Sequence, residues 1–282
     1  MDLERRLRDR SDELTPSERR IGETILDRPD LVAFGTVADV AEAARVGTAT
    51  VVRFAVKVGF DGYSSLQGSV QGEMSGRLRP AVERIRDQPS RDDTLAARHA
   101  DVEVSNVRST LSAVGVGEGR TVVERLADES KPVLVLSGVA SRGVAVQFVG
   151  DLGQLRPGVG LLDGNEVDLV QTLALTGPDA TLVVLDLRRY ERWLRDALSM
   201  AADAGAWVAA LTDSVLSPLA AAADHAFVVA ADSTGPFDSH VGTLALLNLF
   251  VVEVAAARRP EAAERLDAIE SAWSDAGALT DD

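Results

Sequence analysis

Two stretches of the chain combine residue types that could bind a charged partner. In the first, Thr48, Thr50, Arg53 and Lys57 fall within ten residues. No acidic residue occurs between Glu42 and Asp61, while Arg45, Arg53 and Lys57 do, so this window carries a local charge of +3. Threonine hydroxyls at a helix start, beside free backbone N–H groups, suit a phosphate. Arg53 and Lys57 lie one turn apart on one helical face. Arginine can grip guanine through two hydrogen bonds, and lysine can hold a phosphate. The alternative is that the threonines cap the helix and Arg53 is solvated or ion-paired. In the second stretch, Ser137-Gly138-Val139-Ala140-Ser141-Arg142 follows an apolar run and opens a helical pattern. A turn glycine, two hydroxyls and a helix N-terminus suit an anion at the carboxyl end of a strand. An ordinary turn has the same composition.

Further groups fall beyond later apolar runs. Asp186-Leu187-Arg188-Arg189-Tyr190-Glu191 places two arginines where they either grip phosphate or carboxylate, or pair with Asp186, Glu191 and Asp196. Arg142, Arg188 and Arg189 against Asp186 alone point to an acidic or phosphorylated small metabolite. Asp213, Ser214 and Ser217 either line the same rim or cap a helix at Pro218. His240 opens the last apolar helix and is either a pocket residue or a structural one. An isomerase would need a positioned general base. Glu166, Asp186 and His240 are the candidates, and no motif unites them.

The elements that must carry these groups divide in two. Residues 1–75 read as short helices. Thr15, Pro16 and Glu18 form a capping box, followed by Ile21, Ile25 and Leu26 at helical spacing. Asp30–Phe34 is a second helix, stopped by Gly35. Thr36 caps a third, with Val37, Val40, Ala41 and Ala44 inward. Arg45-Val46-Gly47 is a turn, and Thr48 starts a fourth helix with Val51, Val52 and Val58 inward. Short helices joined by a three-residue turn with Gly fit helix-turn-helix geometry. Residues 76–91 read as a linker and 92–257 as a second domain, with a helix from Asp92 to Val114. Beyond it, apolar runs at Val133–Leu136, Val159–Leu162, Leu182–Leu187, Trp207–Leu211 and Ala226–Ala230 alternate with helical patterns. That alternation indicates βαβ units, hence an α/β class with a five-stranded parallel sheet in an α-β-α sandwich. Residues 258–282 read as a tail.

Composition narrows the chemistry. The 282 residues include no cysteine and three scattered histidines, so neither a thiolate site nor a His-built metal site is expected, and no cofactor. The formal net charge of −15 argues against nucleic acid only as a sum. Binding responds to fields within a Debye length, about 8–10 Å. Arg5, Arg6, Arg8, Arg19 and Arg20 read as solvated helix surface that could touch a DNA backbone. No apolar run reaches the roughly 18 residues of a membrane span. The charged first residues show no apolar signal core, so a cytoplasmic location is expected.

Val46 to Phe54, then Lys57-Val58-Gly59-Phe60-Asp61-Gly62-Tyr63-Ser64-Ser65-Leu66, resembles the helix-turn-helix of RpiR/MurR-type bacterial transcriptional regulators. That family joins it to a C-terminal SIS (sugar isomerase) domain. Leu134–Arg142, Leu211-Thr212-Asp213-Ser214, Ser217-Pro218-Leu219-Ala220, Asp224-His225-Ala226 and Asp238-Ser239-His240 are similar to such a domain, so the likeness spans nearly the whole chain. It implies a regulator of carbohydrate or related catabolic genes that binds double-stranded operator DNA. Thr48, Thr50, Arg53 and Lys57 would then contact DNA. Ser137, Ser141, Arg142, Asp186, Arg188, Arg189, Ser214 and His240 would surround an effector. It also implies a homodimer or homotetramer held by residues beyond Gly76, for which the apolar Val241–Val254 segment is either core or interface. The sequence departs from the family twice. Gly47 stands where Ser is usual. The Ser-x-Ser-Gly-x-Thr phosphate cradle is replaced, with Asp186, Arg188, Arg189 and Glu191 standing for Ser, Ser, Gly and Thr. A sugar-phosphate isomerase, and a regulator whose SIS domain senses nothing, remain the alternatives.

Overall fold

The computed structural model describes residues 14–78, 81–86, 93–164, 166–188, 190–215 and 217–279. Arg189, Arg5, Arg6 and Arg8 therefore lie outside the described residues. Among the described residues no single helix is long and apolar enough to cross a membrane.

The first unit is all helical. Thr15 caps α1 (Pro16–Asp27), and Glu18 closes the box by accepting from Thr15 N–H at 2.8 Å. After α2 (Pro29–Phe34), a second box of Thr36 and Asp39 opens α3 (Val37–Ala43). Arg45 takes the left-handed conformation, φ 55°, and turns the chain into α4 (Thr48–Lys57), with α5 (Tyr63–Leu78) following. Ile21, Ile25, Val40, Phe54 and Leu66 meet in one core. Val52 corrects the expected packing, for it is 40% exposed. Val51, Phe54, Ala55 and Val58 recur three and four residues apart, take the inward face, and leave position 52 outside.

The stretch expected as linker carries α6 (Ala81–Arg86). Helix α7 (Leu95–Ser112) then begins the second unit, followed by α8 (Val116–Ala127), which the sequence reading did not anticipate. Strands β1 (Val133–Ser137), β2 (Val159–Leu161), β3 (Thr181–Leu185), β4 (Trp207–Thr212) and β5 (His225–Val228) form a parallel sheet of order 2-1-3-4-5. Interleaved with them are α9 (Arg142–Leu155), α10 (Glu166–Ala174), α11 (Arg192–Asp203) and α12 (Pro218–Ala221). Helix α13 (Val241–Ala257) follows, and the expected tail holds α14 (Arg259–Ala276), whose Ala262 is buried.

Alternation along the strands builds two cores. Val133, Val135, Val183 and Leu185 face Leu126, Phe148, Leu152 and Phe250 of α8, α9 and α13. Leu136, Leu182, Val184 and Val208 face Leu173, Leu194 and Leu198 of α10 and α11. Helix α13 thus belongs to the core of this chain, with Leu246, Leu247, Phe250 and Val254 buried. The chain leaves β1 toward β2 and crosses back to β3, so the order reverses between β1 and β3. In open α/β sheets ligands collect outside the carboxyl ends of strands near such a reversal.

Candidate functional site

On the DNA side, α4 turns Thr48, Ala49, Val52, Arg53 and Val56 outward and seats Phe54 and Ala55 in the core. Its N-cap is Gly47, which provides no side-chain capping bond. The first-turn N–H groups of α4 thus lack the hydroxyl partner that a Ser would supply. Thr48 is exposed and Thr50 half-buried, and Arg53 donates to Thr50 Oγ1 at 3.4 Å. Lys57 behaves differently from Arg53. Its Nζ lies 2.8 Å from Glu18 Oε2, so the residue that caps α1 also binds the last residue of α4. This contact holds the Glu18 carboxyl below its usual range. Arg20 donates to Ala44 carbonyl at 3.3 Å and pins α1 to the turn. Val52 and Val56 add methyl groups to the outward face, at 40% and 56% exposure. The sequence pattern had placed Val52 inward.

In the sheet unit, Ser137, Val139, Arg142, Asp163, Leu169 and Trp193 border a cleft of about 200 Å³ at the carboxyl ends of β1 and β2. The two candidate loops do meet beside it. Gly138 N–H donates to Leu185 carbonyl at 3.0 Å, continuing the β1–β3 ladder by one residue. The Asp186 carboxylate lies where a side chain on Gly138 would go, its Cγ 2.7 Å from the position of a Cβ there. Its oxygens accept from the N–H groups of Leu187 and Glu191, each at 2.9 Å. Burial pushes the Asp186 carboxyl up to about 6, with those two N–H groups acting in the opposite direction.

Glu191 makes the decisive contact. It is the N-cap residue of α11, yet its carboxylate caps no backbone N–H of that helix. Oε1 accepts from Val139 N–H at 2.6 Å, and Oε2 accepts from the Trp193 indole. The Val139 N–H of the β1 loop, where the sequence suggested an anionic ligand, is thus held by an anion of the chain itself.

The arginines do not converge. Arg142 borders the cleft but pairs with Asp163 from the end of β2. Arg188 has φ 57° and points the other way, toward Asp232 at 3.3 Å and Asp238 at 3.1 Å. The two described arginines therefore sit in separate ion pairs, which corrects the expectation of pooled positive charge against Asp186 alone. Asp213 holds the loop by accepting from Arg188 N–H at 2.9 Å and from the Tyr190 hydroxyl at 2.7 Å. Burial, then Asp213, raises the Tyr190 pKa. Ser217 caps α12, and Ser214 is buried beside it. Ser141 is buried under its loop with Oγ unpartnered by protein. His240 lies at the start of α13 outside the cleft lining, its pKa lowered by burial. Asp163 and Trp193 are cleft residues that the motif reading did not single out, and Glu191, which it gave as standing for the cradle's Thr, holds the adjoining loop instead. Trp193 is the second residue of α11 and is 39% exposed.

Residues 1–77 match the model of the helix-turn-helix domain of the rpiR family, and residues 164–253 match that of the SIS domain. The chain is 29% identical over 219 residues to an uncharacterized HTH-type transcriptional regulator of Haemophilus influenzae, covering 76% of this chain and 75% of that one. The sugar isomerase domain of an RpiR transcription factor from Sphaerobacter thermophilus superposes with a TM-score of 0.59 at 29% identity, covering 64% of this chain and 99% of that one. The Vibrio vulnificus NanR protein, in a complex with ManNAc-6P, shares the fold at a TM-score of 0.57 and 19% identity, covering 97% and 98%. The chain thus joins a helix-turn-helix domain of the rpiR family to a SIS domain, the order of an HTH-type transcriptional regulator.

Proposed function

We propose that this regulator binds operator DNA as a homodimer or homotetramer and that its SIS domain senses a small carbohydrate-type metabolite, so as to control carbohydrate or related catabolic genes. The outward face of α4 carries the proposal. Thr48, Thr50 and Arg53 stand on an acid-free segment of a chain whose net charge is −15. Lys57 would contribute after exchanging Glu18 for a phosphate. Exposed Val167 and Leu175, at 73% and 78%, support self-association of the sensor unit. The cleft bordered by Ser137 and Arg142 is the proposed effector site, with Ser141, Asp186, Arg188, Ser214 and His240 supporting its loops from behind. A catalytic reading is weaker, because Asp186 and Glu191 both spend their carboxylates on backbone N–H groups.

Fluorescence anisotropy with duplexes from the chain's own upstream region tests this reading. Binding should be saturable and tighter than to a scrambled duplex. It should weaken steeply with salt, as phosphate contacts release counterions. A matching affinity for scrambled DNA would refute it. A monomeric mass by light scattering at micromolar concentration would refute the assembly.

A further inference from the structure

The cleft at the ends of β1 and β2 has an unusual charge arrangement for a site opening on a helix N-terminus. Backbone N–H groups there ordinarily await an anion. In this chain Val139 N–H is taken by Glu191, at 2.6 Å, and the space over Gly138 is taken by Asp186. Neither carboxylate is loosely placed. Asp186 is anchored by two N–H groups, and Glu191 by one N–H and the Trp193 indole. The one arginine on the lining among the described residues, Arg142, is matched by Asp163.

We infer that this cleft takes an uncharged, polyhydroxylated ligand, a free sugar or polyol, and rejects the phosphorylated form of the same molecule. The inference rests on the cleft being the effector site proposed above. A phosphate entering near Val139 would meet Glu191 and Asp186 at short range, and like charges brought together out of water repel strongly. Rejection of a wrong ligand by a placed like charge is a common source of specificity. What remains on the walls suits hydroxyl groups and C–H faces. Trp193, 39% exposed, and Leu169 offer apolar surface. The Arg142–Asp163 pair offers a donor and an acceptor side by side, both about half exposed, and Ser137 adds a hydroxyl. A mostly apolar wall with a few polar groups that fix orientation is the usual composition of small-molecule sites.

The test uses the full chain and matched probes. Pentoses, hexoses, N-acetylhexosamines and alditols are each titrated beside their phosphorylated counterparts, by calorimetry and tryptophan fluorescence. A free member of a pair should bind at least tenfold more tightly than its phosphorylated partner. Equal or tighter binding of the phosphorylated partner overturns the inference and leaves the sensing reading standing. Binding by neither class removes the sensing reading and the inference together. Glu191→Thr vacates Val139 N–H and should raise affinity for inorganic phosphate at least tenfold over the parent chain. If Glu191→Thr fails to fold by circular dichroism, Glu191→Gln keeps an acceptor toward Val139 while removing the charge, and should narrow the discrimination between paired sugars. Unchanged discrimination in a folded Glu191→Gln chain also overturns the inference.

Discussion

Arg84, on the short helix that precedes the sheet unit, donates to Asp238 at 2.8 Å across 154 residues of sequence. The same carboxylate oxygen lies 3.1 Å from Nε of Arg188, on the loop that leads to Glu191. One acid therefore ties the segment between the two units to the loop beside the cleft. All three side chains are mostly covered, at 16–20% exposure. Removing the shared acid takes this partner from Arg84 and leaves Arg188 with Asp232 and the Ala231 carbonyl, whereas removing one cation leaves the acid a partner. Asp238→Ala should destabilise the chain by about 2–4 kcal/mol and Arg84→Ala by about 1. Urea denaturation of both variants checks the order, and an equal loss would deny that Asp238 is shared.

Arg53→Ala should weaken specific operator binding by about 1–3 kcal/mol, the usual cost of a lost base contact. Arg53 is exposed and its one described side-chain bond is to Thr50 on its own helix, so folding should be untouched. Anisotropy on operator and scrambled duplexes measures both effects. An unchanged operator affinity would place recognition on another face.

The Lys57–Glu18 pair makes stability depend on pH. The folded-state pKa of Glu18 is lowered below its ordinary 4.5, with the Lys57 contact as the largest cause. A depressed acid contributes stability above its unfolded pKa and loses it as pH falls through the folded value. Lys57→Ala should therefore cost about 0.5–1 kcal/mol at pH 7. The difference from the parent chain should vanish in strong acid. Thermal melts at pH 7 and below pH 4 reveal it. A constant difference across that range would mean that Lys57 acts through packing.

Asp186 should behave in the opposite sense. Its pKa is raised from 3.8 to about 6, chiefly by burial. The folded chain then binds the proton longer than the unfolded one, so this group's contribution falls as pH rises between those values. Carboxyl-carbon NMR should place its midpoint near 6. Gly138→Ala puts a methyl into the space of that carboxylate and should cost about 1–3 kcal/mol by overpacking, read from a denaturation midpoint. A tolerated alanine would show that the two loops can part freely.

Arg156, fully buried, donates to four carbonyls, those of Leu126, Asp128, Lys131 and Pro157, at 2.8–2.9 Å. It seals the junction of α8, β1 and β2. Arg156→Lys has one ammonium in place of a planar fork and leaves carbonyls unsatisfied, so a loss of about 2–4 kcal/mol is expected in urea. Near-parent stability would mean that water replaces the fork.

The local grammar of the chain was legible in residues alone. Thr15 with Glu18, Gly35 after Phe34, the Arg45–Gly47 turn and the start of α9 at Arg142 depend on contacts within a few positions, and capping and periodicity report such contacts. The five apolar runs are all strands, because both faces of a parallel sheet are covered and most positions are apolar. Helix α8 escaped notice because Gly115, Gly117 and Gly119 dilute its first turns, and α14 because its mixed charge hides a single buried face. Partner choice among charges lay beyond the sequence. Arg142 lies 21 residues from Asp163, Glu191 lies 52 from Val139, and Lys57 lies 39 from Glu18. An ionic side chain can satisfy any of several acids or N–H groups. Only the closing of β1 against β3, and of α4 against α1, decides which one is within reach.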